Sequence, residues 1–238
     1  MNLLEREILL VDKPAGMSSF AVVARIRRLL TEQMRAQYKK QGKTPPKRAK
    51  VGHAGTLDPF ATGLLICLLD KGTKQAGDFL KLDKRYEATI ELGKVSTTGD
   101  IEGEIVETFA DYDSFGVPAA TKIRSVLDAF RGEIVQTVPV YSAVKINGRR
   151  AYDLARKGVK VEMPKRKVTI CDIKILDYHW PYLKIDCKVS SGTYIRALGE
   201  DIGKKLGVGG YLTELRRTEI GEFKIKDAVT LAECGIID

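Results

Sequence analysis

Asp58 lies near the end of the octet Gly52-His53-Ala54-Gly55-Thr56-Leu57-Asp58-Pro59, which gathers two glycines, a histidine, a carboxylate and a proline into one short stretch. Glycines let backbone approach a ligand, and Pro59 restricts Asp58 to extended geometry, so the carboxylate is held on a loop beside the apolar run 64–69. On its own, an Asp-Pro after glycine-rich sequence is a turn signal before it is a catalytic one. Other chemistries lack their residues. The only histidines, His53 and His179, have no Cys, Asp or Glu partners at metal-ligand spacing, so a zinc site is not expected. No GxxxxGK segment, GxGxxG with a following acid, or GxSxG occurs, which removes the phosphate cradle and the nucleophile elbow. What remains is chemistry run on carboxylates, tyrosines and arginines.

The elements that must position these groups are legible from periodicity. Residues 7–12 read as a strand, stopped by Lys13-Pro14-Ala15-Gly16. Ser18 or Ser19 then caps a basic amphipathic helix, with Val23, Ile26, Leu30 and Met34 on one face and Arg25, Arg28, Arg35 and Lys39 mostly off it. Residues 41–50, with Pro45-Pro46 and several lysines, read as a mobile loop able to order against RNA. Tyr86, Ala88, Ile90 and Leu92 alternate as a strand does, as do Val168/Ile170 and Leu183/Ile185/Cys187/Val189. Helical spacing returns at Ile123, Val126, Leu127 and Phe130, and at Ile195, Leu198, Ile202 and Leu206, closed by Gly207. Asn147-Gly148 marks a turn. Consecutive strands outnumber helices, which predicts an α+β fold with a large, mainly antiparallel sheet.

Composition sets the partners. The 238 residues fit a single domain, 1–238, with no clear linker, and 44% apolar residues suffice for a buried core. The charged N-terminus and the short apolar runs exclude a signal peptide and a membrane span, and scattered cysteines without a CxxC pair predict reduced thiols and a cytoplasmic location. Between Arg25 and Lys50 stand ten Lys/Arg against Glu32 alone, a surplus equal to the +9 of the whole chain. One concentrated positive stretch on a neutral body is the footprint of a phosphate-backbone contact, or else a solvated helix face and loop.

Six segments, the octet's own among them, fall into a recognisable order. LLVDKPAGMSS (9–19), KVGHAGTLDPFATGLL (50–65), KRYEATIELG (84–93), YSAVKINGRRAYDLAR (141–156), SSGTYIRALGEDIG (190–203) and LTELRR (212–217) together closely resemble the tRNA pseudouridine synthase B (TruB) family. The resemblance spans nearly the whole chain and implies the pseudouridine synthase fold. It also implies an isomerase of tRNA that acts, without cofactor or obligatory protein partner, on the T-loop uridine conventionally numbered 55; a monomer is the default expectation. The uracil N1 to ribose C1′ bond is cleaved, the base is turned, and C5 is joined to C1′. A carboxylate serves attack on the base, attack on the sugar and elimination through a glycal alike, because it can add to an electron-poor carbon and leave again.

Residue by residue, the resemblance implies Asp58 as nucleophile and Arg196 as the arginine that keeps it ionised and aimed. Asp100 matches a second carboxylate on the far side of that arginine, although Thr97 stands where many members have an acid. Tyr86 of the Lys-Arg-Tyr motif would stack on the base, and its hydroxyl could take the C2′ proton. His53, Tyr194 and Leu215 match positions that contact or replace the extruded base, offsetting an unstacking cost of a few kcal/mol. Lys13 and Lys145 match motif positions expected to serve as scaffold or as contacts to the RNA backbone.

Two departures from the family shape the expectations. Many members continue into a small C-terminal RNA-binding (PUA-like) domain, which is not expected here, and the basic insertion at about 31–50 is longer than usual and expected to replace some of that domain's contacts with tRNA. Two other readings use the same residues: a subunit that depends on guide RNA and partner proteins, and a tRNA-binding or folding protein without catalysis. Intact Asp58, Tyr86 and Arg196 argue against the second.

Overall fold

The computed structural model describes residues 1–108, 116–142, 144–146, 148–155, 159 and 161–236. The chain divides into two compact units, Met1–Tyr86 with Arg216–Asp238, and Glu87–Leu215. No linker marks the boundary in the sequence, because strands β4 (Lys84–Leu92) and β12 (Gly210–Ile220) each have residues in both.

The first unit is organised by one strand. β3 (Thr62–Leu69) pairs antiparallel with β1 (Ile8–Lys13), from Ile8 opposite Leu68 to Lys13 opposite Gly63, and with β2 (Val51–His53). It also runs parallel to β12 at Thr62 and Gly63, where β12 gives Arg216 and Arg217. The run 64–69 is apolar throughout because both of its faces are covered. Leu65, Cys67 and Leu69 join the core under α1 (Ser19–Lys40), whereas Leu64, Ile66 and Leu68 pack with Phe79 of α2 (Ala76–Lys81) and with Ile220. Helix α1 begins where expected: Ser18 is its cap, and its hydroxyl accepts the Ala21 amide at 3.1 Å. The predicted apolar face of α1 is the buried one, with Val22, Val23, Ile26 and Leu30 inside and Met34 packed against them. Burying each such side chain contributes about 1.5–3 kcal/mol. A short 3-10 turn (Asp70–Gln75) precedes α2, and β13 (Phe223–Lys224) pairs with β12.

In the second unit the strand order is β12-β4-β11-β10-β7, where β7 spans Gly132–Thr137, β10 Lys165–His179 and β11 Tyr182–Val189. β10 pairs antiparallel with both β11 and β7. Alternation on β4 and β11 is that of strands covered on one side, as the sequence predicts. Two ribbons stand apart from this sheet: β5 (Lys94–Ser96) with β6 (Ile105–Glu107), and β8 (Lys145–Ile146) with β9 (Arg149–Arg150). In the predicted Asn147-Gly148 turn, Asn147 lies outside the described residues, as does Arg156 of the motif 141–156. Helix α3 (Ala120–Asp128) buries Ile123, Val126 and Leu127 and ends before Phe130. A short α4 (Ala151–Ala155) follows β9, and α5 (Ile195–Leu206) is closed by Gly207 in the left-handed conformation at φ 85°.

The result is an α+β fold with a large, mostly antiparallel mixed sheet. Among the described residues, no helix is long and apolar enough to cross a membrane.

Candidate active site

Asp58 sits half-buried on the loop between β2 and β3, and the backbone on each side of it is fixed from within the first unit. On one side, the buried Ser19 hydroxyl accepts the Leu57 amide at 2.8 Å and donates to the Leu57 carbonyl at 3.0 Å. On the other, the Pro59 carbonyl accepts from Lys13 Nζ at 3.1 Å and from the Gly16 amide at 2.9 Å. The Asp58 carbonyl itself accepts the Ala61 amide at 3.2 Å. Such a loop carries its side chain at a defined point rather than sweeping it through solvent.

Lys13 is 0% exposed, and its ammonium also donates to the carbonyls of Pro14 at 2.9 Å and Met17 at 2.6 Å. Lys13, expected to serve as scaffold or as a contact to the RNA backbone, thus donates to three carbonyls and ties the end of β1 to the Asp58 loop. Its place follows from strand alternation, since Leu9, Val11 and Lys13 share the inward face of β1.

A second buried cation holds the loop from below. Arg217 is 1% exposed; its Nε donates to the Leu64 carbonyl at 2.8 Å, Nη2 to the Gly55 carbonyl at 3.0 Å and Nη1 to the Thr56 carbonyl at 3.5 Å. The planar fork reaches β3 and the octet at once, which no other side chain can do. Gly63 makes the approach possible, because a β-carbon there would fall 2.3 Å from the Arg217 carbonyl oxygen. Around this charge the neighbours respond. Burial, and next the Arg217 guanidinium, lower the pKa of His53, favouring the neutral ring. Its Nδ1 is buried without a hydrogen-bond partner. Burial and Arg217 also push the Lys84 ammonium down to about 8, against the opposing pull of Asp83. Lys84 donates to the carbonyls of Leu80 at 2.7 Å and Leu82 at 2.5 Å, which fixes the start of β4 two residues before Tyr86, itself buried.

In the second unit Arg196, near the N-terminus of α5, is buried with Asp100, at 5% and 2% exposure. Arg196 Nη1 lies 3.5 Å from Asp100 Oδ2 and donates to the Thr98 carbonyl at 2.7 Å, while Nη2 donates to the Tyr141 carbonyl at 2.7 Å. Asp100 Oδ1 accepts from the Thr98 hydroxyl at 2.5 Å and from the Glu102 amide at 3.0 Å. These bonds satisfy a carboxylate that burial would otherwise penalise. Thr97, the departure from the family pattern, instead uses its hydroxyl to accept the Glu104 amide at 3.0 Å.

Tyr194, the residue before α5, is held by two side chains the sequence did not single out. Gln136 on β7, 0% exposed, accepts the Tyr194 amide at 3.1 Å and donates to its carbonyl at 3.2 Å. The Arg166 guanidinium lies 5.7 Å from the centre of the Tyr194 ring and donates to the Gly192 carbonyl at 3.3 Å. Gln136 and Arg166 are cross-strand partners on β7 and β10. Leu215 is buried on β12, and Lys145 is exposed on the β8–β9 ribbon. Within the first unit, Asp58, Lys13 and His53 thus share one loop system with Ser19 and Arg217. Within the second, Arg196, Asp100 and Tyr194 gather at the start of α5, and Lys145 stands on its own ribbon.

Residues 43–195 match the model of the TruB family pseudouridylate synthase N-terminal domain, and residues 196–234 that of the tRNA pseudouridylate synthase B C-terminal domain. The chain is 43% identical over 227 residues to the tRNA pseudouridine synthase B of Aquifex aeolicus (strain VF5), covering 94% of this chain and 72% of the relative. It is 45% identical over 228 residues to the enzyme of the same name from Corynebacterium diphtheriae, covering 94% and 70%. Among solved structures, a chain of a Cbf5-Nop10-Gar1 complex superposes with a TM-score of 0.66 at 30% identity over 94% of this chain, which spans about half (52%) of that longer one. A chain of an H/ACA RNP bound to a substrate RNA containing 2′-deoxyuridine gives 0.62 at 27% identity, covering 97% of this chain and 56% of that one. With the two family models meeting end to end across residues 43–234 and relatives above 40% identity over nine-tenths of its length, the chain belongs to the TruB family of pseudouridylate synthases.

Proposed function

We propose that the chain isomerises the T-loop uridine of tRNA, at the position conventionally numbered 55, to pseudouridine, with Asp58 as nucleophile. The observation that carries this reading is the anchoring of the residues on both sides of Asp58: Leu57 to Ser19, and Pro59 to Lys13 and Gly16. A carboxylate whose carrier is already ordered meets the reacting carbon without a further entropy cost. The base leaves N1, turns, and bonds to C1′ through C5. The C5 proton is lost and N1 gains one, so substrate and product are isomers and no redox partner is needed.

The other residues take the roles their motif positions give them. Arg196 holds the nucleophile's charge, and Asp100 holds Arg196. Tyr86 stacks on the base, and on the route through a glycal its hydroxyl takes the C2′ proton and returns it as C5 joins C1′. Neutral His53, with Tyr194 and Leu215, meets the base or the space it leaves, and Lys145 on its exposed ribbon meets the RNA backbone. A chain acting alone in the cytoplasm is the version that the relatives favour, since identity is above 40% to the synthases named for tRNA and 30% to the chain of the Cbf5-Nop10-Gar1 complex. Four scattered cysteines without a CxxC pair support the reducing compartment.

Incubating the pure chain with an unmodified T-arm transcript and mapping pseudouridine tests the reading in one step. Product at the T-loop uridine is expected from the unaltered chain and none from Asp58→Asn, which still binds the transcript. Turnover by Asp58→Asn overturns the assignment of the nucleophile, and turnover that requires an added guide RNA overturns the stand-alone reading.

A further inference from the structure

The basic helix α1 does not simply display its charges to solvent. Between its outer face and the chain at 47–48 lies a cleft of about 550 Å³ whose lining includes Arg27, Arg28, Arg35, Lys47 and Arg48, with Glu32 as its one carboxylate. The far wall is tied down. Ala49 donates its amide to the Thr31 hydroxyl at 3.1 Å, Thr31 donates to the Arg27 carbonyl at 2.6 Å, Arg27 Nη2 donates to the Val51 carbonyl at 2.8 Å, and Arg35 Nη2 to the Lys47 carbonyl at 3.3 Å. The cleft is therefore preformed, and forming it has already drawn like charges together.

Arg27 registers that crowding, its pKa lowered by burial and then by the charge of Arg48. Among the described residues, neither Arg28 nor Arg48 is paired with a carboxylate, and both are exposed. Among the described residues no aromatic ring lines the cleft, so it offers charge and guanidinium forks but no platform on which a base could stack. Arg28 and Arg35 are seven residues apart on α1, two helical turns or roughly 10 Å. At roughly 3.4 Å of axis per phosphate of one duplex strand, that span is about three phosphate steps.

We infer that this cleft is a second RNA contact, separate from the Asp58 loop, that takes the phosphodiester backbone of the substrate RNA without reading its bases. The inference rests on the reading of tRNA as substrate, which it deepens. Backbone contacts of this kind fix register and add affinity, while selection of the uridine stays with the T-loop site.

The test is the salt dependence of tRNA binding. Replacing both exposed arginines, Arg28→Ala with Arg48→Ala, weakens affinity several-fold at moderate salt and lowers the slope of log K against log salt by roughly 1.5, two lost phosphate contacts at about 0.7–0.9 each. The charge-keeping pair Arg28→Lys with Arg48→Lys retains most of the slope. An unchanged slope and affinity in the alanine pair, with unaltered circular dichroism, overturns the proposal. A free-anion site is tested with inorganic phosphate at matched ionic strength. If millimolar phosphate raises the melting temperature of the unaltered chain but not of the alanine pair, and the RNA slope is the same in both, the cleft is an anion site and the proposal fails. Pseudouridine formation by the unaltered chain is scored beside these titrations. Its absence together with a reduced slope in the alanine pair refutes the reaction and leaves the cleft standing, whereas its presence with equal slopes refutes the cleft alone.

Discussion

The Ser19 hydroxyl and the Leu57 peptide bond each other twice, the hydroxyl accepting the Leu57 amide at 2.8 Å and donating to the Leu57 carbonyl at 3.0 Å. One buried oxygen thus satisfies both backbone groups of the residue before Asp58, and it does so from the first turn of α1, so the helix and the candidate catalytic loop are set together. Ser19→Ala leaves both groups buried without that partner, at a cost of about 2–4 kcal/mol. The expected outcome is a lower melting temperature with a kcat at least ten-fold reduced and KM little changed. Thermal unfolding and T-arm kinetics on the same preparation check it, and an unchanged kcat in a destabilised protein would separate the loop's stability from its chemistry.

Arg217 performs the matching task from the strand side, joining the Gly55 and Leu64 carbonyls. A lysine there has one nitrogen and cannot reach both, and a methionine leaves three carbonyls without their donor. Arg217→Lys and Arg217→Met are each expected to cost about 3 kcal/mol, seen as a lower urea midpoint at constant m-value. Equal midpoints for Arg217→Lys and the unaltered chain would show that the fork geometry is dispensable.

Gln136 bonds both the amide and the carbonyl of Tyr194, immediately before α5. Gln136→Leu keeps the volume but orphans the Tyr194 amide, while the carbonyl keeps the Leu198 amide at 3.1 Å, so amide exchange at 194–196 is expected to quicken by about one order of magnitude, or about 1–2 kcal/mol of local protection. Hydrogen exchange followed by mass spectrometry reads this directly. The same variant is expected to lower kcat, because Arg196 lies two residues on.

Lys84 gives a pH dependence with a definite sign. Its folded pKa of about 8 lies below the ordinary 10.5, so between these values the unfolded chain binds more protons and stability rises with pH. Below about pH 8 both states are protonated and the burial penalty is fully present; it is relieved as pH rises from 8 towards 10.5. The stability difference between the unaltered chain and Lys84→Met is expected to shift by about 1–2 kcal/mol in favour of the unaltered chain from pH 7.5 to 9.5. Urea titrations at those two pH values decide it, and a flat difference would mean that the carbonyls of Leu80 and Leu82 hold the proton against burial.

Read one residue at a time, the sequence determined a great deal. Helix α1, its cap at one of Ser18 and Ser19, and its inner face follow from local spacing, as do the alternating strands β4 and β11 and the stop at Gly207, because hydrogen bonding within a helix and side-chain alternation within a strand are short-range properties. The octet carrying Asp58 and the order of the surrounding motifs were equally visible. Tertiary structure alone decided what Lys13, Arg217, Ser19 and Gln136 do. The first two even carried a local sign, standing in line with Leu9 and Val11 on β1 and with Leu215 on β12, where an inward position predicts a buried charge. Yet the carbonyls and amides that make those positions tolerable lie 46 residues from Lys13 at Pro59, 162 from Arg217 at Gly55, 38 from Ser19 at Leu57 and 58 from Gln136 at Tyr194. A polar side chain is welcome in a core only when distant backbone arrives to pair with it, and that arrival is a property of the folded chain, not of any window along it.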